Sequence, residues 1–101
     1  MQRAASPFLC HVFVCTNDRH GERKSCADGS SAQLREQLKE AVNLRPHLKG
    51  RVRVSSAGCL GLCARGPNVL LHPQAVWFSG VTLSDLPQLL EAIEAVVVPV
   101  P

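Results

Sequence analysis

The sequence predicts an α/β fold in which a small mixed sheet of about four strands is combined with two main helices. The first observation is that apolar residues change between strand-type and helix-type spacing along the chain. The second is the order of these segments, which places a parallel strand-helix-strand unit before a β-hairpin and a terminal helix. With 101 residues, 46% of them hydrophobic and 19% charged, we expect one domain spanning 1–101 with a single core.

The first half of the chain contains the strand-helix-strand unit. Residues 8–15 (FLCHVFVC) form a nearly continuous apolar run, which predicts a buried strand. Residues 28–31 supply candidate N-cap side chains, and apolar residues then recur at helical spacing until Pro46, namely Leu34, Leu38, Ala41 and Val42. Residues 51–55 (RVRVS) alternate with period two and predict the second strand.

The second half predicts a hairpin and a helix. Residues 68–71 and 75–79 are short apolar strands joined through the turn His72-Pro73-Gln74. Ser84 is the predicted N-cap of the last helix, whose first turn contains Asp85. The buried face of this helix consists of Leu86, Leu89, Leu90, Ile93 and Val97.

Four cysteines form two groups, Cys15 with Cys26 and Cys59 with Cys63. A right-handed crossover makes the first two strands parallel, so that their C-terminal ends lie at one edge of the sheet. Cys15 closes the first strand and Cys26 follows in the next loop, whereas Cys59 and Cys63 lie in the loop after the second strand. The two loops can therefore present four thiolates to one inorganic centre, which we interpret as an iron-sulfur site.

Two other chemistries are compatible with cysteine-rich chains. Four cysteines can hold structural zinc, although spacings of ten and three residues are unusual for zinc knuckles. A thiol-disulfide enzyme would require a C-x-x-C motif at a helix N-terminus, and this sequence contains none.

Cys10 and His20 are not predicted to be ligands of the site. Cys10 lies five residues before Cys15, which is about 16 Å along an extended strand and on the opposite face. We therefore expect a buried free thiol at Cys10. His20 lies between the first two cysteines and is expected to neighbour the site, because four cysteines already complete the ligand set.

Several segments resemble the thioredoxin-like 2Fe-2S ferredoxins. They are residues 11–17 (HVFVCTN), Ser25-Cys26, residues 58–63 (GCLGLC) with Gly66-Pro67 after them, and residues 76–78 (VWF). The resemblance covers about residues 8–96 and matches both cysteine groups and the order of the elements. It implies a thioredoxin-like fold, with the cluster loops at one edge of the sheet.

The resemblance also implies a function. A 2Fe-2S cluster would be held by Cys15, Cys26, Cys59 and Cys63, and the activity would be one-electron transfer between a reductase and an acceptor, without enzymatic catalysis. The family commonly forms homodimers, and the likeness places the hairpin with Trp77 near that interface. A domain that senses iron or redox state and regulates a partner is the alternative that the sequence leaves open.

Composition and charge argue against other partners. The net charge is +3, but Arg19, Arg23 and Lys24 share one loop and aromatic residues are only 4%, so we expect no nucleic-acid partner. No apolar run approaches the roughly 18 to 20 residues of a membrane span, and residues 1–7 lack the features of a secretory signal. The expected location is the cytoplasm, where thiols stay reduced.

Overall fold

The computed structural model describes residues 1–16, 31–58 and 67–97. The order of its elements confirms the predicted strand-helix-strand unit, hairpin and terminal helix. The strands are β1 (Cys10–Cys15), β2 (Val52–Ala57), β3 (Val69–His72) and β4 (Val76–Phe78). The helices are α1 (Ser31–Asn43) and α2 (Leu86–Val97), and one turn of 3-10 helix (Leu83–Asp85) precedes α2.

The four strands form a mixed sheet in the order β2-β1-β3-β4. β1 runs parallel to β2, and the register places Cys15 opposite Ala57. β1 is antiparallel to β3, and β3 is antiparallel to β4. The C-terminal ends of β1 and β2 therefore share one edge of the sheet, as the crossover rule predicts.

The hydrophobic core lies between one face of the sheet and the two helices. From β1 it takes Cys10, Val12 and Val14, which alternate along the strand and are fully buried. The apolar stripes of the helices pack against them, with Leu34, Leu38 and Val42 from α1 and Leu89, Leu90, Ile93 and Val97 from α2. Among the described residues, no helix is both long and apolar enough to cross a membrane.

The opposite face of β1 corrects the prediction of a strand buried throughout. His11 and Phe13 are only half-buried, because the described helices pack on the other face. The two rings stack with centroids 4.0 Å apart, and the ring centroid of Phe8 lies 6.0 Å from that of His11. His11 Nε2 also forms a hydrogen bond of 2.9 Å with the hydroxyl of Ser55 on β2.

The start of the last helix corrects a second prediction. Thr82, not Ser84, is the N-cap, because a turn of 3-10 helix begins at Leu83. The Thr82 N–H donates to the Asp85 carboxylate at 2.8 Å, and the Asp85 N–H donates to the Thr82 carbonyl at 3.0 Å. Two donors at the helix end are thus satisfied within one turn. Of the residues predicted to cap α1, 28–30 lie outside the described residues, and Ser31 is the first residue of the helix.

The hairpin is confirmed, with small shifts at its ends. A cis peptide bond joins His72 to Pro73, and Ala75 adopts a φ of 61° in the turn. The Ala75 N–H donates to the Leu71 carbonyl at 2.9 Å, which closes the turn. The Gln74 side-chain amide donates to the Leu9 carbonyl at 2.8 Å and ties the hairpin tip to the chain before β1.

Candidate metal centre

Cys15 is the last residue of β1 and lies in the interior of the protein. Its side chain is fully buried and its thiol is free. Unlike Cys10, it is not a member of the main hydrophobic core. β1 lies between β2 and β3, so Cys15 has a neighbouring strand on each side at the edge where β1 and β2 end.

The backbone around Cys15 holds both flanks of segment 59–66. On one side, the Thr16 N–H donates to the carbonyl of Ala57 at the end of β2, at 3.0 Å. On the other side, the Cys15 N–H donates to the carbonyl of Asn68, just before β3, at 3.1 Å. The chain thus leaves β2 on one side of Cys15 and enters β3 on the other. Cys59 and Cys63 belong to the segment between these two anchored points.

Asn68 links Cys15 to the only tryptophan and was not singled out from the sequence. It is fully buried, and its Oδ1 accepts a hydrogen bond of 3.1 Å from Trp77 Nε1. An asparagine before a strand usually indicates a turn, so no sequence signal distinguished this buried one. Asn68 fixes the start of β3 against both Cys15 and β4, which makes it part of the frame around the predicted site.

Gly58 precedes Cys59 and ends the described segment 31–58. Among the described residues, a Cβ built at Gly58 would meet no atom within 4 Å, and its φ is outside the left-handed region. Neither crowding by these residues nor a positive φ therefore requires glycine at this position. Its predicted role in wrapping a cluster, like that of Gly61, involves segment 59–66, which lies outside the described residues.

Cys10 is confirmed as a buried free thiol. It is fully buried among the apolar side chains of the core. Burial raises the pKa of this thiol from 9.0 to about 11, because the interior disfavours the charged thiolate. Since the thiolate is the form that binds metal, the environment of Cys10 opposes a ligand role.

The other predicted ligands, Cys26, Cys59 and Cys63, lie outside the described residues, as does His20. Within 1–16, 31–58 and 67–97, no three His, Cys, Asp or Glu side chains are grouped as a metal site. Apart from Cys10 in the core, the described part offers one buried thiol, that of Cys15 at the end of β1. A sulfur donor in a sheltered position fits thiolate-bound iron, and the same donor also suits zinc.

Comparison with known proteins identifies the family. No family model matches the chain. It is 34% identical over 84 residues to a 2Fe-2S ferredoxin of Clostridium pasteurianum, which covers 81% of each chain. It is 31% identical over 83 residues to a 2Fe-2S ferredoxin of Aquifex aeolicus, covering 80% of this chain and 75% of the relative.

Solved structures agree with the sequence relatives. The wild-type thioredoxin-like [2Fe-2S] ferredoxin from Aquifex aeolicus superimposes with a TM-score of 0.79 at 29% identity. The superposition covers 90% of this chain and 87% of that one. A small mixed sheet, two helices and a buried cysteine at the end of the first strand define a thioredoxin-like architecture with a candidate metal edge. The chain belongs to the thioredoxin-like 2Fe-2S ferredoxin family.

Proposed function

We propose that this protein is a ferredoxin that carries one electron at a time between redox partner proteins. In this proposal, Cys15, Cys26, Cys59 and Cys63 hold a 2Fe-2S cluster. The observation that carries it is the position of Cys15, which is buried between the two anchored flanks of segment 59–66. Membership of the ferredoxin family supports both the cofactor and the activity.

The cluster would supply a one-electron couple, since its iron alternates between the ferric and ferrous states. The contribution of the chain is to hold the ligands and to shield them. The Cys15 sulfur is shielded from water, and hydrogen bonds to Asn68 and Ala57 fix the backbone on both sides of it. A ligand held in this way moves little when the charge of its surroundings changes. Transfer between docked proteins requires no substrate pocket.

Cys10 and Cys15 provide a matched pair for testing the ligand set. Both are fully buried cysteines of β1, so truncation of either removes the same group from the same strand. We expect Cys15→Ala to lose the cluster, and Cys26→Ala, Cys59→Ala and Cys63→Ala to do the same. Cys10→Ala should keep about two iron and two sulfide per chain and an unchanged visible spectrum. Loss of the cluster in Cys10→Ala together with its retention in Cys15→Ala would refute the assignment.

We also propose that two copies associate through the β3-β4 hairpin. Trp77 and Val76 are 37% and 36% exposed, which leaves apolar surface on β4 at the outer edge of the sheet. Val76→Glu should reduce the molecular mass measured by sedimentation from that of two chains to that of one chain, because it would bury a charge at the interface. Leu44→Glu is the control, since Leu44 is 75% exposed but follows α1. A wild-type protein that sediments as a monomer at micromolar concentration would contradict the dimer.

The cytoplasm is the compartment that we propose for this function. Its reducing conditions keep cysteine thiols available as ligands and prevent competing disulfides. Fractionation of the source cells, with the visible spectrum followed in each fraction, would test the location. Recovery of the protein outside the cytoplasmic fraction would contradict it.

A further inference from the structure

A groove with positive charge runs between α1 and the edge strand β2. We call it the basic groove and define it by Arg35, Lys39 and Asn43 of α1 together with Gly50, Arg53 and Val54 on the β2 side. The cavity has a volume of about 210 Å³. It is lined by described residues, and none of them is one of the predicted cysteine ligands.

The charge of the basic groove is uncompensated within its own lining. Three cations and no carboxylate border the cavity, and the Arg53 guanidinium lies over the ring of Phe8, 5.9 Å from its centroid. Glu36 pairs with Arg35 through Nη1, but Arg35 Nε is buried and has no hydrogen-bond partner. A buried donor without a partner is destabilising, so an acceptor that reached this nitrogen would be stabilising.

The backbone beside the basic groove is the outer edge of β2. Among the described strands, only β1 pairs with β2. The outer edge is already occupied at Val52, which forms a parallel bridge with Lys49 and whose N–H donates to the Leu48 carbonyl at 3.0 Å. The carbonyls of Arg51 and Ala57 accept hydrogen bonds from the β1 side, so odd-numbered residues of β2 direct their backbone groups toward β1. Because this direction alternates along a strand, Val54 and Ser56 direct theirs outward. Val54 also lines the groove, which brings an open strand edge and the cations together.

The groove also has a definite orientation toward the predicted cluster. Asn43 at the end of α1 and Gly50 just before β2 line the same cavity, so α1 runs antiparallel to β2. Arg35, near the start of α1, therefore lies toward the end of the sheet that carries Cys15. A partner bound along the groove would therefore extend toward the end of the sheet that carries Cys15.

We infer that the basic groove binds an extended acidic segment of a partner protein, which adds as a strand to β2 and places carboxylates against Arg35 and Lys39. This inference rests on the proposed function, because the partner is then a redox protein positioned for electron transfer. Strand addition supplies main-chain hydrogen bonds, and the cations select acidic side chains. A second copy of this chain is a poor occupant, since pairing two β2 edges would bring exposed Arg51 and Arg53 of both chains together.

The first test uses a blocked peptide of alternating Glu and Val and the oxidised holo-protein. In an NMR titration at low salt, we expect the amide signals of Val54 and Ser56 and of the groove residues of α1 to shift. The double variant Arg35→Gln and Lys39→Gln should bind the peptide at least about tenfold more weakly, because it loses two charge-assisted contacts. Arg45→Gln is the matched control, because Arg45 pairs with Glu94 and does not line the groove. It should stay within about twofold of wild type.

A second peptide separates strand addition from simple charge attraction. It has the same sequence but carries N-methyl groups on alternate residues. One edge of the peptide then cannot donate backbone hydrogen bonds to β2, whereas its carboxylates are unchanged. We expect it to bind at least about tenfold more weakly than the unmodified peptide. Equal binding of the two peptides would overturn the added strand, and no binding, or shifts confined to other surfaces, would overturn the groove.

Iron and sulfide are assayed on the same samples, so that the two proposals can fail separately. A protein with a full cluster that does not bind the peptide would overturn this inference and leave the proposed function intact. Peptide binding by a protein that cannot take up a cluster would contradict the proposed function, and with it the redox role of the partner.

Discussion

Cys10 and Cys15 show that position in the strand, and not residue type, determines the role of a cysteine in this protein. Both are free and fully buried in β1. Cys10 packs among apolar core side chains, whereas Cys15 ends the strand between the flanks of segment 59–66. The odd spacing of the two residues was enough to predict this separation, because strand side chains alternate between faces.

The raised pKa of Cys10 predicts a pH dependence of stability. The folded pKa of about 11 exceeds the ordinary value of 9.0, so the folded state retains a proton that the unfolded state loses. The contribution of this thiol to the free energy of unfolding is complete below about pH 9. It is lost as the pH rises through 11, with a slope of about 1.4 kcal/mol per pH unit. Urea unfolding between pH 8 and 11 should show the wild type losing stability faster than Cys10→Ala. Parallel curves for the two proteins would refute this account.

The elements show which physical signals the sequence carries. Apolar periodicity predicted the order of strands and helices and the buried positions of α1 and α2, because packing against one core imposes that periodicity. The half-buried face of β1 was missed, because His11 is the one polar residue in 8–15 and Phe13 continues the apolar run. Burial of such residues depends on what covers the sheet, which local sequence does not specify.

The N-terminal cap of α2 gives a prediction about the stability of this element. Asp85→Ala should lower the free energy of unfolding by about 1 kcal/mol, because its carboxylate accepts from the Thr82 N–H at the start of the last helix. Ser84→Ala is the control and should change stability by less than about 0.5 kcal/mol, since Ser84 contacts only the Thr82 hydroxyl in this cap. Chemical denaturation of both variants measures the difference. A larger loss in Ser84→Ala would restore Ser84 as the cap.

At the scale of the whole molecule, charge is distributed unevenly among the residues that the structure describes. Residues 31–58 contain six cationic side chains and two glutamates, the cations being Arg35, Lys39, Arg45, Lys49, Arg51 and Arg53. Residues 67–97 contain Asp85, Glu91 and Glu94 and no Lys or Arg. This asymmetry produces a field that can orient a charged partner before contact, with its basic side along α1 and β2. The net charge alone predicted no such direction, because it says nothing of where the charges lie.

Part of the candidate site could be predicted from the connectivity of the whole chain. Chain connectivity and the crossover rule correctly placed Cys15 at the edge where β1 and β2 end. The contributions of Asn68 and of the basic groove could not be predicted, because both depend on residues that are distant in sequence and adjacent in space.

The central claim is that the four cysteines hold a 2Fe-2S cluster, and one measurement tests it most directly. It is the visible spectrum of anaerobically purified protein, with iron and acid-labile sulfide assayed on the same sample. The account predicts a red-brown protein with about two iron and two sulfide per chain, which bleaches on reduction with dithionite. A colourless protein that contains zinc and no sulfide would contradict it.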